Sequence, residues 1–267
     1  MNNGNPILKR NNVQVIGQGR QILLFAHGFG SDQNSFNAIL PAFEDEYKLV
    51  LFDYIGAGQS DLTAYDEQRY KSLSGYAMDV VDICYALNIR DVIFVGHSVS
   101  SMIGVLAAEQ EPTLFKKLVF IGPSPRYINE EGYHGGMDLQ DLEGLMEVMD
   151  SNYLGWSSTM APAVIGNPDR PELGQHLTAS FQEADPAIAR NFARVTFYSD
   201  YRDKLPLLTV PSLTIQGQDD ILTSVAVATY VHQHTPGNQM VILNSSGHCP
   251  HLSDPEGVIN AIKNFIK

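Results

Sequence analysis

Six short runs of apolar residues recur along the chain, and polar positions rarely interrupt them. They are rich in β-branched residues and lie at 22–27, 48–53, 91–96, 116–122, 211–217 and 240–245. Nearly continuous apolar character over so short a length is typical of strands buried on both faces of a parallel sheet. The pattern therefore predicts six buried strands, and residues 12–16 are expected to add an antiparallel strand at one edge.

Longer amphipathic stretches separate these runs, at 73–87, 99–110, 224–234 and 255–266. Alternating strands and helices predict a mostly parallel sheet that is flanked by helices on both faces, an α/β fold.

The segment 124–205 interrupts this alternation. It shows four helical patterns and no buried strand, and the patterns lie at 138–152, 156–164, 171–181 and 186–197. We therefore predict a core made of residues 1–123 and 206–267, into which residues 124–205 are inserted as a helical cap. A run of ordinary peripheral helices is the alternative.

The first candidate for chemistry is Ser98, in the string GHSVS at 96–100. The string lies where a predicted strand ends and a predicted helix begins, a sharp turn that exposes a serine hydroxyl above a sheet. The helix N-terminus behind it favours developing negative charge. The usual pattern ends in glycine, and Ser100 takes that position here. A serine that only caps the helix is the alternative.

A glycine-rich loop at 27–30 (HGFG) directly follows the first buried strand. Such a loop can aim a backbone amide at a carbonyl oxygen, and the residue after the nucleophile supplies a second amide. We therefore expect the amides of Phe29 and Val99 to form an oxyanion hole. A turn that merely needs flexible residues is the alternative.

Two aspartates, Asp219 and Asp220, follow the strand at 211–217. Ligand-binding groups of open α/β sheets gather at the carboxyl ends of the strands, so a carboxylate here points toward the rim that carries Ser98. The residues alone leave both aspartates open as the acid that orients a histidine.

His248 follows the last predicted strand and is the candidate base. The order Ser, Asp, His along the chain is the one that this architecture uses, and His251 is the alternative. A serine, a histidine and a carboxylate support covalent catalysis without a metal or cofactor, so we expect neither.

Composition restricts the partners and the compartment. The 267 residues include 17 basic and 30 acidic ones, a formal net charge of −13, which argues against nucleic acid and anionic membranes as partners. Cys84 and Cys249 do not make a disulfide framework, and no Cys-x-x-Cys or His-Glu-x-x-His string indicates a metal site. Residues 1–10 lack the apolar region of a signal peptide and no apolar run reaches about 18 residues, so we expect no signal peptide and a cytoplasmic protein.

Longer strings make the chain resemble the α/β-hydrolases, and among them the RsbQ-like stress-response regulators and the plant karrikin and strigolactone receptors. These strings are HGFGSDQ (27–33), LFDYIGAGQSDL (51–62), VGHSVSSMIG (95–104), IGPSPRYIN (121–129), NPDRPE (167–172) and GHCPHLS (247–253). The resemblance covers nearly the whole chain. It implies an α/β-hydrolase fold whose four-helix cap covers a deep apolar pocket.

The resemblance assigns catalytic roles residue by residue. Ser98, Asp220 and His248 fall on the family's triad, and Asp220 is preferred to Asp219 because an apolar pair follows it. The serine at position 100 is shared with the plant receptors.

The resemblance also implies which residues line the pocket, namely Phe29, Tyr127, Trp156, Met160 and Phe197. Met160 occupies a position where relatives usually have an aromatic residue, and Thr223 one where several have proline. These differences concern the shape of the pocket and the identity of the ligand.

The predicted function is hydrolysis of a small hydrophobic ester or lactone by a serine hydrolase, with a ligand-sensing role like that of the resembling regulators. One alternative is a slow-turnover or non-enzymatic regulator that binds a partner protein, for which the resemblance suggests a stress-response phosphatase. A carbon–carbon bond hydrolase is another alternative, since it uses the same triad.

Overall fold

The computed structural model describes residues 4–267, and a single seven-stranded sheet forms its centre. The strands are β1 (Gln14–Ile16), β2 (Gln21–Ala26), β3 (Tyr47–Leu51), β4 (Val92–His97), β5 (Phe115–Ile121), β6 (Ser212–Asp219) and β7 (Gln239–Ser246). They lie in the order β1-β3-β2-β4-β5-β6-β7. The pair β1–β3 is antiparallel and every other neighbouring pair is parallel. The predicted fold class, a mostly parallel sheet flanked by helices, is confirmed.

Ten α-helices accompany the sheet in the described residues. They are α1 (Pro6–Arg10), α2 (Leu73–Ala86), α3 (Val99–Gln110), α4 (Leu139–Ser151), α5 (Tyr153–Ile165), α6 (Pro171–Glu183), α7 (Pro186–Phe197), α8 (Val225–His234), α9 (Pro250–Ser253) and α10 (Pro255–Ile266). The sequence did not predict α1 and α9, because five and four residues are too few to display a helical period.

Each face of the sheet carries its own apolar core. Leu24 and Phe94 pack on one face, in a cluster with residues of α2 and α3. Their sequence neighbours Leu23 and Ile93 pack on the other face, in a cluster with residues of α10. Because successive strand residues point to opposite faces, a strand covered on both sides needs apolar residues at nearly every position.

One predicted strand is less buried than its apolar sequence indicated. The run 240–245 predicted burial on both faces, but β7 lies at the edge of the sheet, and Ile242 is 43% exposed. Leu243, the next residue, is 8% exposed and joins the core. The prediction of burial on both faces is therefore wrong for β7, since the helices cover this terminal strand incompletely.

Residues 124–205 connect β5 to β6 and contain the helices α4 to α7. An isolated β-bridge between Arg126 and Asp200 joins the two ends of this segment. The four helices share a third apolar cluster, which also includes the partly buried Phe29 from the end of β2. That these residues act as a separate cap stays a prediction. None of the helices within residues 4–267 combines the length and the apolar character that a bilayer span requires.

Candidate active site

Ser98 occupies a strained turn between β4 and α3. Its backbone angles are φ 56° and ψ −123°, which residues other than glycine rarely adopt. The amide of Ser98 donates a hydrogen bond to the carbonyl of Ile121 at 2.7 Å. A Cβ added to Gly96 would lie 2.7 Å from the carbonyl oxygen of Ser100, so the tight turn requires glycine at that position.

Ser100 replaces the glycine that usually ends this turn, and its side chain has a partner that glycine would not reach. Its Oγ donates to the carbonyl of His27 at 2.5 Å and lies 2.9 Å from the Tyr54 hydroxyl. The serine therefore ties the turn at Ser98 to the end of β2, where the glycine-rich loop begins.

His248 connects Ser98 to Asp220. Its Nε2 lies 2.7 Å from Ser98 Oγ, and its Nδ1 lies 2.8 Å from Asp220 Oδ2. The backbone of His248 is held as well, because its amide donates to Val164 in α5 at 2.9 Å and its carbonyl accepts from His97 Nε2 at 2.9 Å. The imidazole is thus fixed in a continuous series of hydroxyl, ring and carboxylate.

Asp220 accepts hydrogen bonds from several donors besides His248. Its Oδ1 accepts from the amides of Leu222 at 2.8 Å and Thr223 at 3.0 Å. Its Oδ2 accepts from Thr223 Oγ1 at 2.8 Å and Gln216 Nε2 at 3.1 Å. Burial by itself raises the pKa of Asp220, but the charge of His248 and the hydrogen bonds outweigh it and lower the pKa to about 2. The carboxylate is therefore ionised at neutral pH.

The two alternative residues lie outside this series. Asp219 is exposed, and its Oδ2 lies 3.4 Å from Ser246 Oγ. His251 is buried in α9, where its ring packs against Phe36 and His97 at centroid distances of 5.1 and 4.5 Å.

The loop that carries Phe29 approaches Ser98 closely. A Cβ added to Gly28 would lie 2.6 Å from His97 Nδ1 and 3.3 Å from Ser98 Cβ, so only glycine permits this approach. In the described part of the chain, the amides of Phe29 and Val99 have no hydrogen-bond acceptor. Two backbone donors close to Ser98 therefore remain unpartnered, and their role as an oxyanion hole stays a prediction.

A mostly apolar cavity opens at Ser98. The residues that line this cavity include the five that the resemblance implies for a ligand pocket, namely Phe29, Tyr127, Trp156, Met160 and Phe197. Phe29 packs against other aromatic lining residues, with ring centroids 6.2 Å from Trp156 and 5.9 Å from Phe197.

Further residues that the sequence did not indicate also line the cavity, among them Leu177 and Phe181 in α6 and Thr196 in α7. Leu177 and Phe181 are spaced four residues apart, a helical signal that shows a shared face but not what that face covers. The sequence marks Thr223 only as a position where several relatives have proline. In the structure its hydroxyl donates a hydrogen bond to Asp220.

Comparison with known proteins shows which family the chain belongs to. The model of the alpha/beta hydrolase fold family matches residues 21–255. The chain belongs to the α/β-hydrolases. Within that family it belongs with the karrikin and strigolactone receptors. It is 41% identical to the karrikin insensitive 2 receptor CA of Petunia hybrida over 256 aligned residues. The aligned residues cover 96% of this chain and 95% of the relative.

Two more relatives support the same assignment. The strigolactone esterase D14 of Arabidopsis thaliana is 39% identical over 250 residues, which are 93% of each chain. The structure of a hydrolase from Oleispira antarctica is 40% identical with a TM-score of 0.95, and the match covers 98% of this chain and 96% of that one. This α/β-hydrolase thus shares its whole fold with proteins named as receptors and as esterases.

Several polar atoms of the pocket-lining residues lack partners in the described part of the chain, among them one donor in α5 and one in α7. Trp156 Nε1 and Thr196 Oγ1 are buried, and neither has a hydrogen-bond partner within residues 4–267. Burying a donor without an acceptor costs about 1–3 kcal/mol. A ligand that offers an acceptor to either group removes part of this cost.

Proposed function

We propose that this protein is a serine hydrolase that cleaves a small, largely apolar ester or lactone. The observation that carries the proposal is the series Ser98, His248 and Asp220, with spacings of 2.7 and 2.8 Å, at the floor of an apolar cavity. Ser98 is the nucleophile, His248 the base and Asp220 the acid that orients the ring.

In the acylation step, Ser98 Oγ attacks the carbonyl carbon of the substrate while His248 Nε2 takes the hydroxyl proton. Negative charge develops on the former carbonyl oxygen, and the amides of Phe29 and Val99 donate to it. His248 then gives its proton to the leaving oxygen as the bond to the carbonyl carbon breaks. Asp220 stabilises the transient imidazolium, which its ionised state at neutral pH permits.

In the deacylation step, water attacks the acyl-enzyme and His248 takes a proton from it. The tetrahedral intermediate collapses, the acid is released, and the proton returns to Ser98 Oγ. The apolar lining of the cavity favours a mostly apolar substrate. A second oxygen atom of the substrate, away from the bond that is cleaved, could accept hydrogen bonds from the unpartnered donors of Trp156 and Thr196. This combination favours a lactone or an oxygenated ester over a charged metabolite.

The test is turnover of a short-chain nitrophenyl ester by the wild type and by Ser98→Ala. The substitution should lower kcat/KM by at least about 10⁴-fold, because the nucleophile acts as a unit with its partners. Ser101→Ala is the matched control, since Ser101 is a buried serine in the first turn of α3 whose Oγ donates to the carbonyl of Gly96. Equal rates for wild type and Ser98→Ala would refute the proposal.

A second candidate function is ligand sensing, in which slow hydrolysis accompanies binding of a regulatory protein partner. The observation that favours it is the likeness to proteins named karrikin insensitive 2 receptors, at 37–41% identity over most of the chain. As the resemblance to the RsbQ-like proteins suggests, the partner would be a stress-response phosphatase.

The rate and lifetime of the covalent adduct distinguish the two candidates. A panel of small esters and butenolide-like lactones is incubated with the protein, and mass spectrometry follows adducts on Ser98 or His248. A long-lived adduct, together with a partner protein retained only when the ligand is present, supports sensing. Rapid turnover with no ligand-dependent partner contradicts it and leaves the hydrolase proposal intact.

A further inference from the structure

Three side chains of metal-ligand type lie together beside His248, namely His97, Cys249 and His251. One ligand atom of each lies within 4.8 Å of those of the other two, and all three residues are buried. The ring centroid of His97 lies 4.5 Å from that of His251 and 5.0 Å from that of His248. The proposed mechanism uses none of the three as nucleophile, base or acid.

These side chains leave polar atoms unsatisfied. Nδ1 of His97 and both ring nitrogens of His251 are buried, and none has a hydrogen-bond partner in the described residues. Cys249 is a free thiol that is 5% exposed. Each unpaired polar group in such an interior costs free energy, so a cluster of several requires an explanation. A bound cation explains most of it, because a cation accepts one lone pair from every member at once and leaves only the second nitrogen of His251 without a partner.

His97 has one ring nitrogen engaged in a hydrogen bond and one without a partner. His97 Nε2 donates to the carbonyl of His248 at 2.9 Å, which leaves the Nδ1 lone pair without a proton. A histidine that binds a metal usually donates its other ring N–H to a carbonyl or carboxylate, which fixes the tautomer and the ring orientation.

We propose that His97, Cys249 and His251 form a binding site for a thiophilic divalent cation, of which Zn²⁺ is the natural representative. Nitrogen and sulfur ligands in this ratio suit Zn²⁺ and Cd²⁺, whereas Mg²⁺ and Ca²⁺ need oxygen ligands. Bonds of about 2.0–2.3 Å put tetrahedral ligands about 3.5 Å apart, so ligand atoms at the 4.8 Å limit must approach by about 1.3 Å.

Access and proton balance are consistent with such a site. His97 and Cys249 line the cavity at Ser98, so an ion enters through the cavity and a water from it completes the coordination. Burial raises the pKa of the Cys249 thiol, which is therefore protonated without metal. On binding, the S–H bond breaks, a metal–sulfur bond forms, and one proton is released to solvent.

Occupancy has a consequence that rests on the proposed function. The hydrolysis mechanism makes His248 positively charged in each proton transfer, and a cation beside its ring opposes that charge. The bound ion therefore inhibits hydrolysis while leaving Ser98 in place. The binding itself is independent of whether the protein is a hydrolase.

Direct binding is tested on the full chain, prepared without chelator and with a non-thiol reductant. Cd²⁺ is added stepwise, and the ultraviolet charge-transfer absorption of a cadmium–thiolate bond is followed. We expect saturation at one equivalent, together with release of one proton per ion in weakly buffered solution. Wild-type protein that shows no such band at several equivalents of Cd²⁺ would overturn the proposal.

Variants show which residues hold the ion. Cys249→Ala should abolish the band, whereas Cys84→Ala should retain it, because Cys84 is the other buried free cysteine and belongs to a different apolar cluster. His251→Phe should weaken Cd²⁺ affinity by at least about 10–100-fold, the loss that even an outer-shell partner causes. Circular dichroism and thermal melting establish that each variant is folded. A band that persists in Cys249→Ala or unchanged affinity in His251→Phe refutes the site.

Inhibition provides a second, separable readout. Each variant is compared with itself, with and without Zn²⁺, on the nitrophenyl ester. We expect Zn²⁺ to inhibit the wild type and to inhibit His251→Phe only at concentrations at least about tenfold higher. Inhibition of both at the same concentration would place the ion on Ser98 and His248 and overturn this site. Protein without esterase activity that still gives the cadmium band would refute the proposed function and not the metal site.

Discussion

The hydroxyl of Thr223 donates to the same carboxylate oxygen of Asp220 that accepts from His248, at 2.8 Å in each case. Thr223 is fully buried, and its backbone amide also donates to the other oxygen of Asp220 at 3.0 Å. This residue therefore orients the acid from two sides. Because it touches the carboxylate and not the reacting atoms, it is a positioning residue.

Removal of this hydroxyl should slow hydrolysis without abolishing it. Thr223→Val keeps the shape of the side chain and the backbone donor but loses the bond to Asp220 Oδ2. A hydrogen bond to a charged group contributes about 1.5–3 kcal/mol, so kcat should fall about 10–100-fold while KM stays nearly constant. Steady-state kinetics measures the split. Thr223→Ser, which restores the hydroxyl, should recover most of the rate, and equal loss in both variants would exclude the positioning role.

Asp220→Asn should cause a much larger loss. The amide fits the same space but stabilises the wrong tautomer of His248 and carries no charge to balance the imidazolium. A loss of about 10⁴-fold in kcat is expected on this reasoning. Asp219→Asn is the matched control, because Asp219 is exposed and makes no contact with His248. Similar kinetics for the two variants would rule out Asp220 as the orienting acid.

Stability should fall as the solution becomes acidic, because of histidines that are buried uncharged. Burial, and then the charge of His248, lower the pKa of His251 to about 3. Burial also lowers the pKa of His97. The unfolded chain takes up a proton near pH 6.5 and the folded protein does not, so this stability is complete above about pH 6.5 and is lost as the pH falls toward 3.

His251→Phe tests this dependence. Each buried histidine contributes a slope of about 1.4 kcal/mol per pH unit to the free energy of unfolding, so the variant should lose one such contribution between pH 6 and 4. Urea unfolding at several pH values measures the slope. His134→Gln at an exposed position is the control, and its slope should equal that of the wild type. Parallel slopes for wild type and His251→Phe would contradict the prediction.

Thr196→Val should change substrate preference more than overall activity. The substitution replaces a buried hydroxyl of the pocket, which has no partner in residues 4–267, with a methyl group of similar size. For an ester or lactone with a second oxygen acceptor, we expect KM to rise about 2–12-fold, the equivalent of one hydrogen bond of about 0.5–1.5 kcal/mol. For a plain alkyl ester, KM should stay the same or fall. A uniform change across both substrates would exclude a specificity role.

Most of the fold was readable from the sequence because its signals are local. Continuous apolar character in a short run indicates a strand that is buried on both faces. The helices α3, α7 and α10 have the bounds that the sequence predicted. The same local rule placed Ser98 at a strand-to-helix turn and His248 after the last strand. The resemblance was needed to choose Asp220 over Asp219, since both follow the same strand.

Other features appeared only in the folded chain. Ser98 and His248 are 150 positions apart, and their 2.7 Å contact depends on how the sheet and its loops assemble. The position of Leu177 and Phe181 over the cavity depends on the docking of α6, and the exposure of β7 depends on which strand lies at the edge.

The sequence by itself thus determined the fold class, the strand order along the chain and the identities of the serine and histidine candidates. Only the tertiary structure decided that Thr223 supports Asp220, that Ser100 ties the turn to His27, and that two histidines meet Cys249 in the interior. The physical reason is that periodicity reports which face of an element is buried. The direction of one side chain and the partner it meets depend instead on the close packing of elements that are distant in the chain.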